Sequence, residues 1–111
     1  MDDKNTMKTL ESNLFIVILR YNVPLEKIDA FRSAHLDFLN NYYSKDIFIT
    51  SGPQVPRNGG IIVAKSANKQ TLQKILANDP FAINNLASYE VIEFTPSKWS
   101  SKFEKFLSEE R

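Results

Sequence analysis

Leu14-Phe15-Ile16-Val17-Ile18-Leu19-Arg20-Tyr21 is the stretch from which the fold can be read. It is too short for a buried helix and is dominated by β-branched, aromatic and long aliphatic side chains, which predicts a β-strand. In a strand Phe15, Val17, Leu19 and Tyr21 face one way and Leu14, Ile16 and Ile18 the other. Both faces are apolar, so both need cover. Helices can cover one. A chain of this length cannot supply a second layer of its own, so the other face predicts a second subunit.

Working outward, Ile28, Phe31, His35, Phe38 and Tyr42 step by three and four residues and make one stripe of a helix over about residues 24–43. Leu25 and Leu39 widen the stripe, while Glu26, Lys27, Arg32 and Asp37 form the outer face. Pro24 suits the first helical position, where its missing N–H costs nothing. Ile47-Phe48-Ile49-Thr50-Ser51-Gly52-Pro53 predicts a second strand that stops at Gly-Pro. After a loop over 54–58 and Gly59-Gly60, residues 61–65 predict a third strand, paired with the second as an antiparallel hairpin. Asn68 is placed to cap a second helix with Leu72, Ile75 and Leu76 inward. Pro80 ends that run, and a short helix restarts there, through about Asn85. Tyr89-Glu90-Val91-Ile92-Glu93-Phe94 predicts the last strand. Residues 1–12 form a loose polar lead-in. In a C-terminal tail helix over 97–111, capped by Ser97, the side chains Trp99, Phe103, Phe106 and Leu107 share one face and should dock.

The order strand, helix, strand, strand, helix, strand predicts an α+β, ferredoxin-like βαββαβ domain with a four-stranded antiparallel sheet. One domain is expected at 111 residues. The balance of 14 basic and 13 acidic residues, interspersed and with no basic block, argues against nucleic acid as a partner. The longest apolar run, residues 14–19, is far short of the roughly 20 residues a membrane helix needs. No apolar signal core follows the polar N-terminus, so a cytoplasmic protein is expected. With no cysteine and one histidine, thiolate chemistry and a multi-histidine metal site within one chain are excluded.

That one histidine, His35, falls on the apolar stripe, among Phe31, Phe38 and Leu39. A packed structural imidazole is one reading of it; a proton carrier near neutral pH is the other.

Three separated pieces of sequence carry a resemblance. Arg32-Ser33-Ala34-His35-Leu36 is similar to an Arg-x-x-His-Leu motif, Ser51-Gly52-Pro53 to a small-hydroxyl-Gly-Pro motif, and Asp79-Pro80-Phe81 to an Asp-Pro-aromatic motif. In this order and on this strand pattern, roughly from Leu14 to Lys98, the chain resembles the YCII-like family of small dimeric α+β barrel proteins. The resemblance implies a homodimer and an active site built from His35 and Asp79. It also implies a small-molecule ligand or substrate beside Ser51, Arg32, Gly52 and Phe81. Members and relatives with a recognised activity act on small ring compounds such as lactones and hydroxylated aromatics. No cofactor or metal is expected. Two departures stand out. Ile83-Asn84-Asn85 replaces a glycine often found after the third motif, which should narrow or reshape one wall of the pocket. The tail beyond Lys98 has no family counterpart.

If the two groups meet, Asp79 can accept Nδ1–H of His35 and leave Nε2 free to take a proton next to a carbonyl or from a ring. Ser51 can hold a substrate oxygen and Arg32 can pair with an anion. Each residue also has a structural reading: Asp79 as a helix cap, Ser51 as a turn residue, Arg32 as a solvated charge. Two functions therefore stand. One is a cofactor-free lyase or isomerase; the other is a non-catalytic small-molecule-binding or regulatory module. Haem-based oxygenase chemistry on the same fold, with the histidine as axial ligand, is a weaker third.

Overall fold

The structure is a computed structural model and describes residues 13–107. Strand β1 (Asn13–Tyr21) leads into helices α1 (Leu25–Ala30) and α2 (Arg32–Ser44). The hairpin β2 (Phe48–Pro53) and β3 (Gly59–Ser66) follows, then α3 (Lys69–Leu76), the single turn α4 (Pro80–Ile83) and β4 (Ala87–Phe94). A 3₁₀ turn (Ser101–Phe103) and a short helix, α5 (Glu104–Leu107), make up the described part of the tail. The sheet runs β2-β3-β1-β4 with every neighbouring pair antiparallel. This is the predicted ferredoxin-like α+β arrangement, with β1 central because both of its edges are paired.

The register places the two faces of β1 as its alternation predicts. Val17 pairs with Ile62 and Val91, and Leu19 with Gly60 and Tyr89. Phe15, Val17 and Leu19 join Ile62 and Ala64 of β3 in a core closed by Ile28, Phe38, Leu39, Leu72, Leu76 and Phe81 from the helices. Burying each of these side chains larger than alanine contributes roughly 1.5–3 kcal/mol. Ile16, Ile18, Ile61 and Val63, on the other face, lie outside that core. On the same face of β4, Ile92 and Phe94 remain 43% and 42% exposed. Leu14 shares this face by parity yet is 3% exposed, at the end of the sheet where Lys105 and Phe106 of the tail share a cavity wall with Ile49 and Lys65.

Several boundaries differ from the sequence reading. The first helix is two helices, interrupted at Phe31 (φ −109°, ψ 6°). The N–H of Phe31 donates to Ile28 three residues back rather than to Lys27, a local tightening that no Gly or Pro announces. Pro24 is the N-cap rather than the first helical residue, its carbonyl accepting from Lys27 and Ile28. Leu25 does not widen the buried stripe; it is 40% exposed. Asn68 caps α3 as predicted, its side chain accepting from the Thr71 N–H at 2.8 Å. In the tail, 97–100 are not helical and helix starts only at Ser101, although Leu107 is buried. The lead-in 1–12 and the last four residues lie outside the described residues.

Gly59 marks the tightest approach in the sheet. A Cβ there would lie 1.8 Å from the carbonyl oxygen of Leu19, so no other residue fits without moving backbone. This close contact lets the β2–β3 loop fold back over the top of β1, where the N–H of Tyr21 donates to Asn58.

Candidate functional site

Asp79 is the most buried polar residue among the described residues, 0% exposed, and it is fully used. As N-cap of α4 it accepts the Phe81 N–H on Oδ1 at 3.0 Å. The same Oδ1 lies 2.8 Å from Nδ1 of His35. Its Oδ2 accepts the hydroxyl of Tyr89 at 2.6 Å. A carboxylate taken wholly out of water survives only with such partners. The capping role and the contact with His35 are thus both present in one side chain. Pro80 at N1 ends α3 and holds Asp79 extended (φ −66°, ψ 130°), which aims the carboxylate back across α2.

His35 is held on two sides. A carboxylate has no proton to give, so the ring donates from Nδ1. Phe81 lies flat against its face, with ring centroids 4.0 Å apart and planes 7° from parallel. Phe38 flanks it more loosely, at 6.5 Å. The side chain keeps 14% of its surface exposed, and among the described residues Nε2 has no hydrogen-bond partner.

The exposed part of the ring borders a cavity of about 280 Å³ between the upper end of the sheet and α1–α2. Small-ligand sites run from roughly 300 to 1,000 Å³, so this one suits a compact molecule. Of the six residues singled out from sequence, His35, Arg32, Ser51, Gly52 and Phe81 line this cavity; Asp79 lies behind His35 and does not. The remaining walls are mainly aliphatic, with Leu19, Leu36 and Leu39 among them. Ile83 points away, 63% exposed. The departure at residues 83–85 therefore does not narrow the cavity; Asn85 instead takes a left-handed turn conformation (φ 59°) that asparagine tolerates.

Three polar residues of the site escaped the sequence reading. Tyr89 could have been placed on the inward parity of β4, but nothing in the sequence names its partner. Its hydroxyl is pushed up from the ordinary tyrosine range, first by burial and then by the negative charge of Asp79. Tyr43 shares a 2.5 Å hydrogen bond with Ser51 Oγ, tying the end of α2 to β2. Arg57, from what reads only as a loop, lines the cavity and donates through Nη2 to Asp29 of α1 at 2.6 Å.

A model of the YCII-related domain matches residues 14–95. The chain belongs to that family. Among solved structures, this YCII-related protein is similar to the 5-chloro-2-hydroxyhydroquinone dehydrochlorinase (TftG) of Burkholderia phenoliruptrix AC1100, determined in complex with 2,5-dihydroxybenzoquinone. The TM-score is 0.64 at 20% identity, over 76% of this chain and 95% of that one, which establishes a common fold. No curated protein matches the sequence significantly. No helix among the described residues is long and apolar enough to cross a membrane.

Proposed function

We propose that this YCII-related protein is a cofactor-free enzyme of lyase or isomerase type acting on a small cyclic carbonyl or hydroxylated ring compound. His35 is its base and Asp79 the group that orients it. The observation that carries the reading is the 2.8 Å bond from a fully buried carboxylate to the one imidazole on the wall of a compact cavity. With Nδ1–H committed to Asp79, the lone pair of Nε2 is the one available to a substrate proton. Phe81 keeps the ring plane fixed, so little reorganisation is required as the proton moves.

Abstraction of a proton beside a carbonyl leaves an enolate. Expulsion of a leaving group with its electron pair from the adjacent carbon completes an elimination; return of the proton at another carbon completes an isomerisation. The Ser51 hydroxyl on the cavity wall, paired with Tyr43, can donate to the substrate oxygen, and Arg32 supplies positive charge. Dehydrochlorination of a hydroxylated ring, the activity named for the structural neighbour, belongs to the same reaction class.

The enzyme is further proposed to act as a homodimer. A second copy laid on the outer sheet face would bury Ile16, Ile18, Val63, Ile92 and Phe94, which the described chain leaves outside its core.

The test is a panel of chlorinated hydroxyquinones and small lactones, read by chloride release and by mass spectrometry of products. Turnover of a panel member is expected, and His35→Ala should abolish it with the circular dichroism spectrum unchanged. A variant that keeps the full rate overturns the role of His35. Binding without product across the panel would identify a binding module instead.

A further inference from the structure

The titratable side chains that line the cavity are Tyr21, Arg32, His35 and Arg57; no carboxylate is among them. Two guanidiniums thus border a small, largely aliphatic space, one from the start of α2 and one from the β2–β3 loop. Asp29 on α1 feels the charge of both, Arg57 first. It bonds Arg57 from outside the cavity, in a pair that is largely solvated, with the side chains 36% and 54% exposed. Such a pair contributes little and is readily shared or exchanged. A guanidinium carries five N–H donors, and Nη2 is the nitrogen Asp29 uses. Tyr21, which lines the same cavity as Arg57, meets Phe81 edge-on at 6.1 Å. Ring contacts therefore run from Tyr21 through Phe81 to His35.

We infer that Arg57 is the specificity-determining residue of this cavity: with Arg32 it selects a small ring compound that carries an anionic oxygen, a carboxylate or an ionised ring hydroxyl, and Asp29 competes for it. This deepens the functional reading above and rests on that reading for the identity of the cavity. It adds the charge of the substrate and a residue outside the three motifs. A guanidinium fork matches two oxygens at once, which fixes the orientation of a flat anion as well as holding it. An anion held by Arg57 shares the cavity with the His35 ring, which lines the same walls. Asp29, lacking a place on the wall, acts as the occupant that a substrate must displace or share.

Calorimetric titration tests this without requiring turnover, so a failure of the proton-transfer reading leaves it readable. The probes are benzoate, pentafluorophenolate (ionised at neutral pH) and benzamide, the neutral isostere of benzoate. The wild-type protein should bind the anions in preference to benzamide, and the stronger of the two anions identifies the oxygen type. Arg57→Gln should weaken anion binding roughly ten- to hundredfold and leave benzamide unchanged. Asp29→Asn should tighten anion binding several-fold, because a competing negative charge is gone. Equal binding of benzoate and benzamide, no binding of either anion, or an unchanged preference in Arg57→Gln overturns the inference. So does weakened anion binding in Asp29→Asn, which would make the pair a structural clasp.

Discussion

The hydroxyl of Tyr89 donates to Oδ2 of Asp79 at 2.6 Å, on the oxygen that His35 does not use. The buried carboxylate is therefore gripped from three elements: the start of α4, His35 of α2 and Tyr89 of β4. Tyr89→Phe leaves Oδ2 without its donor, which should cost about 1–3 kcal/mol at neutral pH. Above pH 10 that difference narrows. Burial and Asp79 raise the tyrosine pKa in the folded protein, so its contribution is fully present below the unfolded value of about 10 and is lost as pH rises beyond it. Urea titrations at several pH values should show the variant less stable at neutrality and shallower in its alkaline decline. Parallel curves above pH 10 would contradict this.

Gly59 and Gly52 make a matched pair. A Cβ at Gly59 meets the Leu19 carbonyl at 1.8 Å, while one at Gly52 meets nothing within 4 Å. Gly59→Ala should destabilise the protein by about 3 kcal/mol through forced backbone movement in the β1–β3 ladder. Gly52→Ala should stay within roughly 0.5 kcal/mol of wild type. Thermal melts of the two variants side by side check this.

The arrangement of strands and helices was legible because hydrophobic periodicity and breakers agree along the chain: six apolar residues in a row at β1, Gly-Pro after β2, Asn68 and Asp79 as caps. The interruption at Phe31 was not legible, since it arises from one N–H shifting to a nearer carbonyl and leaves no mark in residue type. The contact of His35 with Asp79 came from the resemblance of motifs; 44 residues separate them, and no helical or strand spacing links them. Tyr89, Tyr43 and Arg57 were illegible for a related reason. Each reaches its partner through the fold, and a tyrosine on a strand or an arginine in a loop is ordinary at the level of sequence.

The outer sheet face offers a prediction about assembly. Ile16 pairs with Val63 on one side and Ile92 on the other, at the centre of that apolar surface. Ile16→Glu should turn a sedimenting species of twice 12.7 kDa into one of 12.7 kDa, because an unpaired charge in a buried interface costs several kcal/mol. A wild-type protein that sediments at the single-chain mass would remove the proposed dimer.

The central claim is that Asp79 fixes His35 with its proton on Nδ1 and a lone pair on Nε2 beside the cavity. One histidine in 111 residues makes this directly measurable. Long-range proton–nitrogen correlation spectra of the uniformly ¹⁵N-labelled protein, taken where the imidazole is neutral, report which ring nitrogen is protonated. The account predicts a protonated Nδ1 and a bare Nε2, with that preference lost in Asp79→Ala. A wild-type ring protonated on Nε2 would contradict it.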